Sequence, residues 1–523
     1  MNAVPHRDAP MRRESRLSPL AATVPAWFLL AAAAPCTLVA ADLLVPEQFP
    51  TIQQAIGAAQ TGDRVLVAPG TYVEAIDFLG KAIVVEGVAG AEETFIVGAG
   101  TPGYVVTIAG TPAGARAPET ALRGFTVTGG LGQSAAPGGG IRVAGASVTI
   151  DACIVGVNSG IYGGGLDAFD AEVVILDSIF DANYAILGGG LAAEYSALTI
   201  ERTGFFRNMG VSGGALYVGA VEAALRDVEF DGNASTQLGG AIYALVTTFD
   251  AARLALTDNG LAAPLEHPNG QVNGLVFSTL GGGAIYASNS SGRIDGARIV
   301  GNTAYAGGGI YVASGSAELE FVNALVVGSV AGLGAIYCNG ASPRFVNCTI
   351  ADNASFGVFT SFGSFPQVAN SIITGHTSVG STEIAGNGTT FVASSLVNGA
   401  VFGADIEGGV ISASPLLDAE YVPLPGSPVI DAGSNALVPA GVEFDLLGNA
   451  RIAPGVDEPG APAVVDLGAI EFAAAPSDPP SGSEGPKKGD LGGGSDPTAP
   501  RPDREAPGVR RDRGPAQSTA ARR

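Results

Sequence analysis

The sequence predicts an all-β fold, a parallel β-helix built of stacked coils. Three observations carry this. A glycine-rich step followed by an aliphatic residue recurs at Ile141, Leu166, Leu191, Leu216, Ile242, Ile285, Ile310 and Ile336, with spacings of 25, 25, 25, 26, 43, 25 and 26 residues. Seventeen residues after the aliphatic stands Asn158, Asn183, Asn208, Asn233, Asn259, Asn302 or Asn353, and only the coil opened by Ile310 departs, with Val327. Between these marks lie short β-rich runs such as SVTI at 147–150 and VVIL at 173–176, separated by Gly, Asn and Ser, with no helical periodicity.

The chain opens on a segment, 1–41, with the pattern of a secretory signal. Arg7, Arg12, Arg13 and Arg16 precede an apolar stretch over 21–34, and Val39-Ala40-Ala41 offers a small-residue cleavage site. That stretch is broken by Pro25 and Pro35 and is short for a membrane span, so none is expected in the mature chain. Pro35 before Cys36 does not suit lipidation. The protein is therefore expected outside the cell, in the periplasm or on the cell surface, as a monomer. N-terminal sequencing of protein from its native host should start near residue 42, and an intact chain beginning at Met1 in the cytosol would overturn export.

The β-helix domain is expected over 42–472. Thr51 with Gln54 forms a capping box, placing a short helix up to Ala59 over the end of the stack, where it would cover open strand edges. Irregular coils follow, interrupted by loops at 110–118 and 129–137. The regular array occupies 138–353. Within it the aliphatic points inward, as do the positions nine later (Ile150, Ile175, Ile200, Leu225, Ile294, Leu319, Phe345) and fourteen later (Val155, Phe180, Phe205, Phe230, Leu256, Ile299, Ile350). Coils stack about 4.8 Å apart, so equivalent residues form columns, and a column of asparagines can bond amide to amide along the axis. The 43-residue spacing reads as one coil plus an insertion at 261–277 that carries His267, a loop histidine taken as solvated. Residues 414–472 form a C-terminal cap. The tail, 473–523, is rich in Pro, Gly, Ser and Arg and is expected to be disordered.

Charge narrows the partners. Removing the 4 basic and 2 acidic residues of 1–41, and the 9 and 7 of 473–523, from totals of 26 and 49 leaves 13 basic and 40 acidic in the domain, a net of −27. Such a surface repels nucleic acid and anionic membranes. It would also repel a polyuronate unless a cation such as Ca²⁺ lay between them. No other cofactor and no metal site is indicated. Cys153, Cys338 and Cys348 remain in the domain; Cys153 and Cys348 share one small inward position, several coils apart, which suits buried thiols; a Cys338–Cys348 pair is left open, and the fold does not rest on disulfides.

The opening LLVPEQFPTIQQAIGAAQTGDRVLVAPG at 43–70, continued by Thr71-Tyr72-Val73-Glu74 and Gly80-Lys81-Ala82-Ile83, closely resembles the start of right-handed β-helices of the pectin-lyase-like superfamily. The segment SPLLDAEYVPLPGSPVIDAG at 414–433 resembles the closing part of secreted bacterial members, as does the pairing of 445–451 with 465–471. The resemblance covers roughly 43–472 and implies the right-handed sense. It implies no single activity, since that superfamily holds lyases, hydrolases, esterases and adhesins. Asp445, Arg451, Asp466 and Glu471 read as polar groups of the cap.

The superfamily's enzyme templates do not assemble. The NTD, DD, GHG and RxK motifs of polygalacturonase-like hydrolases are missing; Gly375-His376-Thr377 is a partial echo. Lyases need Ca²⁺-binding acids and a base, and the one lysine of the domain, Lys81, sits in an ordinary strand motif. Esterase-like paired aspartates with Arg and Gln cannot be built, and Arg298, Arg344 and Asp352 take no catalytic role. Asp177, Arg202, Asp227 and Arg253 form a charge-alternating column, read as a solvated ladder. The binding candidate is the residue after the aliphatic on five consecutive coils: Tyr217, Tyr243, Tyr286, Tyr311 and Tyr337. Strand alternation turns it away from the core, and a row of phenols can stack on and hydrogen-bond a linear glycan. Tyrosine also favours strands and packs on itself, which is the simpler account of the column. The only tryptophan, Trp27, lies in the signal. The sequence thus reads as a non-catalytic binding or structural module for extracellular polysaccharide; the competing reading is a polysaccharide lyase or glycoside hydrolase with an unrecognised site.

Overall fold

The computed structural model describes residues 40–98, 100, 102–110, 119–132, 138–260, 280–377, 381–455 and 462–473. The greater part of the signal, the insertion with His267, most of the two early loops and the tail lie outside them.

The chain winds into a right-handed parallel β-helix of about thirteen turns; one of its sheets has 13 strands, all paired in parallel. A coil is typified by strands Leu166–Phe169, Glu172–Leu176, Ile179–Asp181 and Tyr184–Leu187, after which the chain re-enters the first sheet at Leu191–Glu194. Register follows the sequence marks: Ile141 pairs with Leu166, then Leu191, Leu216, Ile242, Ile285, Ile310 and Ile336. The columns predicted to point inward from Ile150 and Val155 are buried, and Phe180, Phe205 and Phe230 stack at 4.9 and 5.1 Å between ring centroids. The glycine steps exist because the chain turns tightly there: Gly188 has φ +62, and a Cβ on Gly189 would lie 2.4 Å from backbone oxygens of the next coil.

The asparagine column is a hydrogen-bonded ladder. Asn183 donates its backbone N–H and its amide to Asn208 Oδ1 at 3.0 Å each, and Asn208 does the same to Asn233 at 2.9 and 3.0 Å. The gap at Val327 is filled otherwise than expected. Extra residues after Ala313 shift the phase, so that Phe321, not Leu319, pairs with Ile294, and Ser329 takes the ladder position, donating its N–H to Asn353 at 2.8 Å. Beyond Asn353 the column ends on His376. Asn353 Nδ2 lies 3.2 Å from His376 Nε2, and His376 Nδ1 bonds Glu383, both side chains being buried.

The expected helix spans Ile52–Ala58, with the Thr51 hydroxyl accepting from Gln54 N at 3.2 Å and Ile52, Ala55 and Ile56 buried. Cys153, Cys338 and Cys348 are free and buried. The charge column resolves into two separate exposed pairs, Arg202 on Asp177 and Arg253 on Asp227. These residues sit at corners with φ near 50°, not in an unbroken ladder.

Residues 414–455 and 462–472, the described part of the cap expected over 414–472, run along the outer side of the later coils. Leu325, Val327 and Ala351 meet Tyr421 and Leu446, while Ile372 and Leu396 meet Val429 and Leu467. Arg451 is fully buried at the centre of this contact. It pairs with Glu471 at 2.6 Å, donates to Asp466 O at 2.9 Å and reaches Asn323 Oδ1 at 3.3 Å. Asp445 accepts from the backbone of Leu447, Asn449 and Glu471, and Asp466 from that of Asp431 and Phe472. No helix among the described residues is long and apolar enough to cross a membrane.

Candidate functional site: the tyrosine face

The 13-stranded sheet carries one outward column along its length. In order it reads Asp77, Thr107, Arg142, Asp167, Ala192, Tyr217, Tyr243, Tyr286, Tyr311, Tyr337, Phe359 and Ala385. The five tyrosines thus come together as predicted, in unbroken register across the insertion.

Their environment differs from the simple solvent stripe that alternation suggests. Neighbouring rings stand 5.4, 5.1, 4.9 and 4.8 Å apart, and the first three are within 7° of parallel. Tyr217 and Tyr337 are buried, each 7% exposed, while Tyr243, Tyr286 and Tyr311 are partly covered. The faces of the rings are therefore spent on one another, and what remains for a ligand is their hydroxyl edge. Burial pushes up the phenols of Tyr217, Tyr243, Tyr286 and Tyr311, those of Tyr217 and Tyr286 to about 12, so these four stay neutral donors at ordinary pH.

The hydroxyls divide into two groups. Tyr217 bonds Glu194 at 3.3 Å, Tyr311 accepts from Asn339 at 2.7 Å, and Tyr337 bonds Ser361 at 2.7 Å. Those of Tyr243 and Tyr286, in the middle, have no hydrogen-bond partner among the described residues.

At the other end of the same column lies a polar group that sequence reasoning missed. Asp167, buried, takes the Tyr104 hydroxyl at 2.6 Å and an ion pair from Arg142, whose guanidinium lies over the Tyr104 ring. Burial raises the Asp167 carboxyl, against the lowering effect of these two partners. The signal was present: Arg142 and Asp167 occupy, two coils and one coil before Ala192, the repeat position that tyrosine takes later. Reading that position only where it is aromatic hid them.

A second surface is a groove of about 570 Å³ on the large sheet, lined by Asp250, Arg293, Glu318, Glu320 and Arg344. Four of its five charged residues are paired across coils: Glu320 is held between Arg293 and Arg344 at 2.8 Å each, and Arg226 holds Asp250 at 2.5 Å. Arg344, set aside in the sequence as non-catalytic, is thus an ion-pair partner. No group of three or more His, Cys, Asp or Glu placed to hold a metal occurs among the described residues.

Residues 266–396 match the family model described as "Right handed beta helix region". No curated protein matches the sequence. Among solved structures, the chain is similar to pectate lyase Pel9A, at 14% identity and a TM-score of 0.35, covering 81% of this chain and 91% of that one. It is also similar to the periplasmic alginate epimerase AlgG, at 11% identity and a TM-score of 0.37, covering 65% and 77%. A third is the catalytic unit of the thermostable GH87 α-1,3-glucanase from Streptomyces thermodiastaticus strain HF3-3, at 13% identity and a TM-score of 0.38, covering 76% and 73%. At identities this low the likeness says nothing about which residues act.

Proposed function

We propose that this protein is an exported β-helix module that holds a linear extracellular polysaccharide along the tyrosine face and does not cleave it. The observation that carries the reading is the pair of hydroxyls on Tyr243 and Tyr286 that have no hydrogen-bond partner among the described residues, their rings 5.1 Å apart by centroid and flanked by tyrosines whose hydroxyls are engaged. Each can donate to and accept from a sugar hydroxyl, and the stack behind them fixes their spacing before a ligand arrives. The helix Ile52–Ala58 acts as the lid of the first coil, and residues 1–41 direct export. The net charge of −27 over 42–472 selects neutral glycans, with acidic ones retained only when Ca²⁺ is added.

The test is Tyr243→Phe with Tyr286→Phe, which keeps the ring stack and removes only the hydroxyls. Alanine at Tyr243, Tyr286 and Tyr311 would open gaps between stacked rings and lower the melting temperature as well, so it cannot separate binding from packing. Two lost hydrogen bonds should reduce retention in affinity electrophoresis about tenfold, with an unchanged melting curve. Incubation with the retained glycan should release no reducing ends. Unaltered retention on every glycan would leave the column as packing, and released ends would return the protein to the lyase or hydrolase reading.

A further inference from the structure

We propose that Phe169, Tyr195 and Glu194 form a sugar-stacking subsite at the Tyr217 end of the tyrosine face, taking one pyranose ring of a neutral glycan. The inference rests on the binding reading above and supplies what the ladder lacks. A sugar packs its C–H face on an aromatic ring face, and in the ladder those faces are covered by neighbouring tyrosines. Phe169 and Tyr195 are arranged differently. Their centroids are 5.8 Å apart at 77°, an edge-to-face contact. It leaves ring face open, and the residues are 42% and 65% exposed.

The coil geometry does not call for aromatic residues at these places. The strand position of Phe169 is taken in the next coils by Glu194, Gly219 and Leu245. Tyr195 is a corner residue with φ +53, and the matching corners on the following coils are Ala220 and Val246 at φ +54 and +55. An aromatic side chain in the left-handed region, two-thirds exposed, gains nothing for the stack by being there.

Glu194 supplies the polar half. It is the register partner of Phe169 on the adjacent strand, one residue before Tyr195. Its carboxylate accepts from Tyr217 Oη at 3.3 Å, which leaves further lone pairs for sugar hydroxyls. The surface is continuous with the ladder: the Tyr217 ring lies over Gly219, where a Cβ would come 3.3 Å from Tyr217 Oη. Charge sets the ligand class. The nearest guanidinium on this column, Arg142, is already paired with Asp167, so Glu194 would repel a uronate and accept from a neutral hexose or pentose.

Affinity electrophoresis of the full mature chain against xylan, mannan and laminarin, with alginate and polygalacturonate as acidic probes, tests this. Tyr195→Ala copies the residue of the following corner and should lower retention on the bound neutral glycan about tenfold with an unchanged melting curve. Tyr195→Trp, which keeps a ring face, should retain binding. Glu194→Gln should weaken neutral binding less and raise retention on alginate relative to wild type. The subsite is overturned if Tyr195→Ala binds as wild type while the Tyr243→Phe, Tyr286→Phe protein does not; the ladder reading then stands alone. Loss of binding in Tyr195→Ala, with the ladder variant unaffected, upholds the subsite and overturns the ladder. Failure of Tyr195→Trp to restore binding sinks the stacking claim. A wild-type chain retained by none of the five glycans overturns both.

Discussion

Replacing Arg451 by methionine should detach residues 414–473 from the side of the coils and cost about 3–5 kcal/mol, the range for removing one partner of a buried ion pair. Among the described residues the guanidinium is the one cation at the centre of Asp445, Asp466 and Glu471, and it is fully buried. Without it, three carboxylates face one another across a dry contact. Their response to pH gives a second readout. Burial already raises Glu471 to about 8 in the native protein. A carboxyl raised on folding contributes its full stability below its ordinary value near 4.5, and loses it as pH rises through 8. The variant removes the partner that opposes this shift, so its deficit should be smaller at pH 5, where the acids can take up protons, than at pH 8. Urea midpoints at the two pH values check the sign, and faster hydrogen exchange confined to 414–473 locates the damage. A midpoint unchanged at both pH values would show that the apolar contacts of Leu446, Val429 and Leu467 hold the segment unaided.

The second large effect is expected from Asn208→Ala, in the middle of the ladder. Asn208 Oδ1 accepts from both Asn183 groups, and its amide donates to Phe180 O at 2.8 Å and to Asn233 Oδ1. Alanine removes all four bonds in a site with no exposure, stranding the Asn183 N–H and leaving a hole. Unsatisfied buried groups at about 1–3 kcal/mol each, plus the cavity, put the loss at roughly 3–5 kcal/mol. Because coils contact only their neighbours, exchange protection should fall first between about 180 and 233 and recover away from them. A uniform loss along the whole domain would contradict nearest-neighbour stacking.

The coil architecture was legible because every coil solves the same problem at the same place. A corner that buries a backbone N–H needs a side-chain acceptor, and asparagine supplies it in Asn158 through Asn302. The phase slip at the coil of Ile310 was not legible. The extra residues fall in an irregular corner after Ala313, and a fixed offset from Ile310 then points to Leu319 and Val327 in place of Phe321 and Ser329. The tyrosine column was legible as a register, since alternation within a strand decides inside from outside. The self-packing of Tyr217, Tyr243 and Tyr286 was legible too, from the strand preference of tyrosine, but alternation does not say what covers an outside face, and so the burial of Tyr217 and Tyr337 could not be read. The lateral docking of 414–473 was equally hidden. Its contacts join residues with no shared period, such as Arg451 with Asn323 and Ala469 with Thr349.

A chain starting at residue 42 contains no tryptophan, so its ultraviolet emission is that of tyrosine. Titrating that chain with the neutral polysaccharide that retains it is the most direct measurement of binding on the tyrosine face. The account predicts a saturable change in tyrosine emission that is largely lost in the Tyr243→Phe, Tyr286→Phe protein. An equal, saturable change in that variant would place the ligand elsewhere on the molecule and contradict it.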